Sequence, residues 1–251
     1  SMIVAPLLFD NELLGVLAVA NPDDDRSFDR MDQNLVVSMA EQAALALNNL
    51  DNLNDRIEKQ KLDLDLTLAH DVQRLLLPTQ FPKTESLEIH ALYTPAQKVS
   101  GDFYDIIPLE EGCTGVAIAD VSGKGVPASL LMAICHTSLR HYAQAHESPS
   151  AVLRAMNAEM SAEMRKDMFI TLIYAVINEK KSTITLARAG HELPLVLQKG
   201  PSGDYLTTAI DSEGMALGMV PCEIFDEVIE DKTIPFGQGE TLLLYTDGVT
   251  E

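Results

Sequence analysis

The sequence predicts an α+β chain: an antiparallel sheet with a pair of helices inserted into it, preceded by one long helix. Three observations lead there. Short apolar segments of strand length follow one another with connections too brief for helical crossovers. A stretch from Met31 to about Leu77 contains neither Gly nor Pro and repeats apolar residues at three and four. Two further helical patterns stand side by side in the middle of the strand-rich half.

In chain order, Ile3–Phe9 and Leu13–Ala20 are two strands joined at a turn around Asp10-Asn11. Asn21-Pro22-Asp23-Asp24-Asp25 is a loop, after which Ser27 or Asp29 can cap a helix. Along that helix Val36, Met39, Ala43, Leu47, Leu50, Leu53 and Ile57 form one stripe, and Leu64, Leu68, Val72 and Leu75 continue it. At 1.5 Å per residue it is roughly 70 Å long, which favours a parallel coiled-coil dimer as its partner. The competing arrangement is two shorter helices broken near Asn54–Lys61. Pro78 and Pro82 end the helical pattern. Strands are then expected at Leu87–Thr94, Phe103–Pro108, Gly115–Val121, Phe169–Asn178, Ser182–Ala189, Leu193–Gln198 and Glu240–Tyr245, with helices near Pro127–Ala145 and Pro149–Met164.

Charge and composition exclude several functions. The 18 Lys and Arg face 38 Asp and Glu, a formal charge of −20, and there is no Trp. Such a field repels nucleic acid and anionic lipid, and base-stacking platforms are lacking. No apolar run reaches the ~18 residues that span a bilayer. Cys113, Cys135 and Cys222 make no CxxC pair and an odd count, which fits a reducing cytoplasm. The Ser1-Met2 start lacks the basic and apolar regions of a signal peptide and reads as a tag remnant on a chain beginning inside a longer protein.

Four carboxylates stand out by position. Asp102 follows Ser100-Gly101 at a strand entry, and Asp105 sits three residues on. Asp120 ends the strand Gly115–Ala119, and Asp247 ends Thr241–Tyr245 and precedes Gly248. An Asp at the tip of an apolar strand beside Gly or a turn offers oxygen to Mg²⁺ or Mn²⁺, and two such ions about 3.5–4 Å apart clamp a phosphoryl group. Each taken singly is also ordinary turn chemistry. Ser122-Gly123-Lys124-Gly125 offers a phosphate cradle or a plain turn; its spacing is not that of a P-loop. His191 either orients a neighbouring carboxylate, donates to a phosphate, or shapes its turn. His70, His90, His136, His141 and His146 show no zinc spacing and read as structural or surface residues. Met156, Met160 and Met164 share a helix face and read as core.

Five ordered blocks resemble one family. Ser100-Gly101-Asp102-Phe103-Tyr104-Asp105 is similar to a GGDxYD motif, and Asp120 through Ala133 to DVSGKGVPAALLMA. Phe169-Ile170-Thr171-Leu172, Ala189-Gly190-His191 with Pro194, and Tyr245-Thr246-Asp247-Gly248-Val249-Thr250-Glu251 follow in order. This is the SpoIIE/RsbU-type branch of the metal-dependent serine/threonine protein phosphatases. The resemblance implies an αββα sandwich and a binuclear Mn²⁺ or Mg²⁺ centre. Its metal ligands would be Asp102, Asp120, the backbone carbonyl of Val121, and Asp247, with the three aspartates carrying catalysis. It implies attack of a metal-bound hydroxide on phosphoserine or phosphothreonine of a STAS-domain anti-sigma-factor antagonist. A non-catalytic module that binds the phosphorylated antagonist is the alternative.

Residues 1–50 resemble the C-terminal part of a GAF sensor domain, in Pro6-Leu7-Leu8, Gly15 through Asn21 and the helix around Glu41–Ala46. The implied organisation is a GAF fragment at 1–50, a helical linker at 51–80 that dimerises the protein, and a phosphatase domain at 81–251. Leu68 through Pro78 is similar to the segment where the family's linker enters that domain. Three departures stand out. Ser100 replaces a Gly. Ser122 occupies a position where the eukaryotic branch has His. The chain stops at Glu251 before the family's final aspartate, an arrangement expected to weaken one metal.

Overall fold

The computed structural model describes residues 1–20, 27–82, 84, 86–165, 167–200 and 203–250. The expected loop at 21–25 and the last residue of the final motif, Glu251, lie outside them. The chain forms two compact units, Ser1–Asp65 and Leu66–Glu251.

In the first unit, β1 (Met2–Phe9) and β2 (Glu12–Ala20) pair antiparallel. Asp10 and Asn11 both take positive φ, 46° and 67°, the conformation a two-residue hairpin turn requires. Helix α1 (Arg30–Arg74) opens with a reciprocal cap. Asp29 Oδ1 accepts from the Met31 and Asp32 amides, and Asp32 Oδ2 accepts from the Asp29 amide. The helix runs unbroken through 54–61, as one long element rather than two. Its buried face is not the expected Val36, Met39, Ala43 row. Val36, Ala40 and Ala44 are buried, and Val36 and Ala40 form a core with Ala5, while Met39 is exposed. The sheet takes a row spaced strictly by four, with small residues that let the backbones approach. Leu47, Leu50, Leu53, Ile57, Leu64, Leu68 and Val72 remain exposed on α1.

The second unit holds the expected antiparallel architecture. β3 (Phe103–Pro108), β4 (Cys113–Val121), β5 (Ile170–Asn178), β6 (Thr183–Ala189) and β9 (Lys232–Pro235) form a five-stranded sheet in the order β3-β4-β5-β6-β9. β7 (Leu195–Lys199), β8 (Tyr205–Ala209) and β10 (Glu240–Leu243) form a three-stranded sheet in the order β10-β7-β8. The strands described in these two sheets pair antiparallel throughout.

Strand alternation sends the two faces of the large sheet to different cores. On one face Phe103, Ala117, Ala119, Val121, Leu172 and Tyr174 meet Met132, Leu139, Leu153 and Met156 of α2 (Val126–Ala145) and α3 (Pro149–Glu163). Met132, Leu139, Leu153 and Met156 are fully buried, each contributing about 1.5–3 kcal/mol on transfer from water. On the other face Val116, Ala175, Ile177, Ile184 and Leu186 meet Val196 of β7 and Leu242 of β10. The layers are therefore helix, large sheet, small sheet. A short helix α4 (Cys222–Val228) packs beside α3 through the buried Phe225.

One expected strand is corrected. Residues 87–90 alternate in burial, and Leu87 and Ile89 pack on the second core, yet no strand among the described residues pairs with 87–94. β8, β9 and α4 were not expected from the sequence. No helix of the described residues is long and apolar enough to cross a membrane.

Candidate metal centre

Asp102 lies in the turn that feeds β3, Asp120 is next to last in β4, and Asp247 opens a single 3₁₀ turn after β10. Cross-strand register pairs Phe103 with Ala119, so the Asp102 turn falls beside the end of β4. Ala119 and Val121 point into the helix-side core, and the period of two turns Asp120 to the opposite face. Thr246, just before Asp247, reaches back with its hydroxyl 3.5 Å from Asp102 Oδ2. Burial, a hydrogen bond shared with the Asp102 carboxyl, and the charges of Asp102 and Asp247 push the Asp120 carboxyl up to about 7. Three carboxylates thus act on one another at one end of the sheet.

The Val121 carbonyl is placed by a close approach. Gly101 packs so tightly on Val121 that a Cβ there would stand 2.7 Å from the Val121 carbonyl oxygen. Glycine is needed at 101 because two backbones touch. Ser100, in place of the family's first Gly, is not among the positive-φ residues, so its side chain is unstrained. Its Oγ accepts from the Asp102 amide at 3.1 Å. Tyr93 adds a hydroxyl 3.4 Å from the Asp102 carbonyl oxygen.

His191 is 4% exposed, and both ring nitrogens are engaged. Nε2 lies 3.1 Å from the Tyr245 carbonyl oxygen, which only accepts, so Nε2 carries the proton. Nδ1 then accepts from the Thr171 hydroxyl at 2.8 Å. Burial lowers the imidazole pKa, against the Tyr245 bond and the charges of Asp120 and Asp247, which raise it. Thr171 is the cross-strand partner of Asp120, and Tyr245 stands two residues before Asp247. The histidine is therefore a clasp between β5, the neighbour of the Asp120 strand, and the segment that leads to Asp247, and it has no nitrogen left for a phosphate.

The loop after Val121 is a fastened turn. Ser122 donates its amide to the Phe169 carbonyl at 3.0 Å, and its Oγ accepts from the Phe169 amide at 2.8 Å. Gly125, at φ 75°, begins α2 with Pro127 in its first turn.

Asp105 does not join the other three. It shares the helix-facing side of β3 with Phe103 and Ile107 and is fully buried. Arg140 of α2 donates to it from Nε at 2.6 Å and from Nη2 at 2.7 Å. His136, one helical turn earlier, places Nε2 3.1 Å from Asp105 Oδ2, at an angle too poor for a strict hydrogen bond, so that contact is chiefly electrostatic. Burial would raise the Asp105 carboxyl, but the contacts from His136 and Arg140 outweigh it and hold it below the usual carboxylate range.

Asp102, Asp120, the Val121 carbonyl and Asp247 are all hard oxygen donors, a set that suits Mg²⁺ or Mn²⁺. They are not drawn into a closed shell. No three His, Cys, Asp or Glu side chains among the described residues enclose a single ion position. The chemistry of this all-oxygen donor set fits the group, and a divalent charge would offset both the burial of Asp120 and the charges of Asp102 and Asp247 beside it.

The chain is 33% identical over 196 residues to "Phosphoserine phosphatase RsbU" of Bacillus subtilis, an alignment covering 77% of this chain and 55% of that protein. It is 28% identical to "Protein IcfG" of Synechocystis, over 75% of this chain and 33% of that one. The chain thus spans between a third and about half the length of these relatives. Its fold is similar to the SiaA-PP2C domain of Pseudomonas aeruginosa, with a TM-score of 0.61 at 20% identity over 76% of this chain and 74% of that one. It is also similar to RsbX in complex with magnesium, with a TM-score of 0.52 at 19% identity over 67% and 78%. Residues 1–47 match the GAF domain. Residues 110–251, more than half of the chain and including Asp120, Val121 and Asp247, match Stage II sporulation protein E (SpoIIE), and the chain belongs to that family.

Proposed function

We propose that this protein hydrolyses phosphoserine or phosphothreonine on a regulatory protein. Asp102, Asp120, the Val121 carbonyl and Asp247 would hold a binuclear Mn²⁺ or Mg²⁺ centre. The observation that carries the reading is the meeting of three strand-end carboxylates from distant parts of the chain, with Asp120 raised to about 7 by burial and its neighbours. The RsbU relative, named a phosphoserine phosphatase, supports the reaction, and the magnesium complex of RsbX supports a divalent ion.

Bound there, the ions supply Lewis acidity for in-line hydrolysis of the phosphoester. The protein's own residues do the rest. Gly101 keeps the Asp102 turn against the Val121 carbonyl, and His191 ties β5, beside the Asp120 strand, to the segment before Asp247. Ser122 fixes the loop that leads into α2. The substrate class follows from the family resemblance: a phosphorylated STAS-domain antagonist of an anti-sigma factor, met in the cytoplasm. Exposed Leu50, Leu53, Ile57, Leu64 and Leu68 on α1 support a homodimer joined through the linker helix.

Phosphate release from a phosphorylated STAS-domain protein is expected to require Mn²⁺ or Mg²⁺. Asp120→Asn and Asp247→Asn should each lower it by at least about 100-fold, the upper end of what residues behind a metal shell cost. Metal-independent release, or full release by both variants, would refute the mechanism. A monomer in sedimentation at high concentration would remove the dimer.

A further inference from the structure

We infer that Gln73 is a positioning residue for the Asp102 ligand, acting through the backbone of Ser100; this rests on Asp102 being a ligand.

Gln73 belongs to the last turn of α1 and is 7% exposed. Its amide bonds twice to one distant residue. Nε2 donates to the Ser100 carbonyl at 2.6 Å, and Oε1 accepts from the Ser100 amide at 3.1 Å. The side chain therefore copies a strand partner for a residue that has none, and fixes Ser100 in position and orientation at once. Its side-chain oxygen and nitrogen both bond Ser100 rather than its own helix end, where the Gln73 backbone carbonyl accepts from the Leu76 amide.

The next links lead to the metal ligands. Ser100 Oγ receives the Asp102 amide, and Gly101 rests on the Val121 carbonyl with no room for a Cβ. If Ser100 is released, the turn is free to rotate, Asp102 leaves its place, and the Gly101 contact that aims the Val121 carbonyl opens. Charge plays no part in this, since Gln73 is neutral. A long amide side chain has a high rotamer entropy to lose on burial, and an apolar residue would fill this position as well if packing were its only task.

Gln73→Met keeps length and apolar volume and removes both bonds. Mn²⁺ binding, read from the electron paramagnetic resonance signal of the free ion, should weaken about tenfold or more, as for other residues behind a metal shell. Phosphate release should recover at saturating Mn²⁺. Val72→Ala, on the exposed side of the same turn, should leave Mn²⁺ affinity unchanged. Ser100→Ala breaks the following link and should weaken affinity too, with the double variant falling short of the product of the two effects.

Equal affinity in Gln73→Met and the unaltered chain would overturn the assignment. So would an equal loss in Val72→Ala, which would mark a general loosening of the helix end. If Gln73→Met does not fold, Gln73→Asn, which keeps an amide too short to reach Ser100, takes its place, and unchanged affinity there overturns the assignment. A chain that takes up no Mn²⁺ in any form would instead remove the ligand reading of Asp102, and the assignment with it.

Discussion

Two carboxylate sites, one fully buried at Asp105 and one half-buried around Asp102 and Asp120, lie within a few residues of each other, and they are built in opposite ways. Asp105 faces the helices and is answered by Arg140 and His136. Asp120 faces the other side and is answered by two more carboxylates, Asp102 and Asp247. Their carboxyls are displaced in opposite directions, Asp105 downward and Asp120 upward. A compensated buried charge serves the fold. An uncompensated cluster costs stability, and its natural partner is a cation from outside.

The contrast can be broken most forcefully through activity. Asp120→Asn should cost at least about 100-fold in metal-dependent phosphate release while leaving the metal-free protein as stable or more so, because a like charge is removed. Thermal melting in chelator checks the second half. A large loss of metal-free stability would mean that Asp120 is held as Asp105 is.

Asp105→Asn should do the reverse and destabilise the fold by about 2–3 kcal/mol. That is less than the 3–5 kcal/mol for a fully buried pair, since half of the Arg140 side chain remains in water. Urea unfolding measures it, and an effect within error would make the pair ornamental.

Acid should then erase that difference. The Asp105 carboxyl is lowered in the folded state, so its contribution is complete above the unfolded value of 3.8. It is lost as pH falls through the lower folded value. The stability gap between the unaltered protein and Asp105→Asn is therefore predicted to hold from neutral pH to about 4 and to close below it. A gap that closed near neutrality would contradict the lowered carboxyl.

The sequence made one of these sites legible and disguised the other. Strand tips beside a glycine or a turn mark Asp102, Asp120 and Asp247, because a turn residue at the end of an apolar strand is visible in one dimension. Asp105 was grouped with them by its spacing of three from Asp102. The alternation of β3 carried the better signal: Asp105 is in phase with Phe103 and Ile107, so it belongs to the helix-covered face. Arg140 and His136 stand one turn apart on α2, a pairing that only the packed structure brings to Asp105. The sequence around His191 admits three roles, and its partners Thr171 and Tyr245 make it a clasp. Gln73 gave no signal, since a polar residue in a long amphipathic helix looks like any solvated one.

The fold shows the same division. Strands with one buried face were read to within a few residues, as in Phe103–Pro108. β8 is exposed along its whole length and offers no alternation to read. Residues 87–90 offered alternation without a partner, and a strand needs both. On α1 the apolar repeat was plain, but which row faces β1 and β2 depended on the small side chains of Ala40 and Ala44.

The most direct test is calorimetric titration of Mn²⁺ into the unaltered protein and into Asp102→Asn, Asp120→Asn, Asp247→Asn and Asp105→Asn, at a temperature where all are folded. The account predicts that the first three variants lose Mn²⁺ affinity and that Asp105→Asn keeps it. Affinity retained in Asp102→Asn, Asp120→Asn and Asp247→Asn, or lost equally in Asp105→Asn, would contradict it.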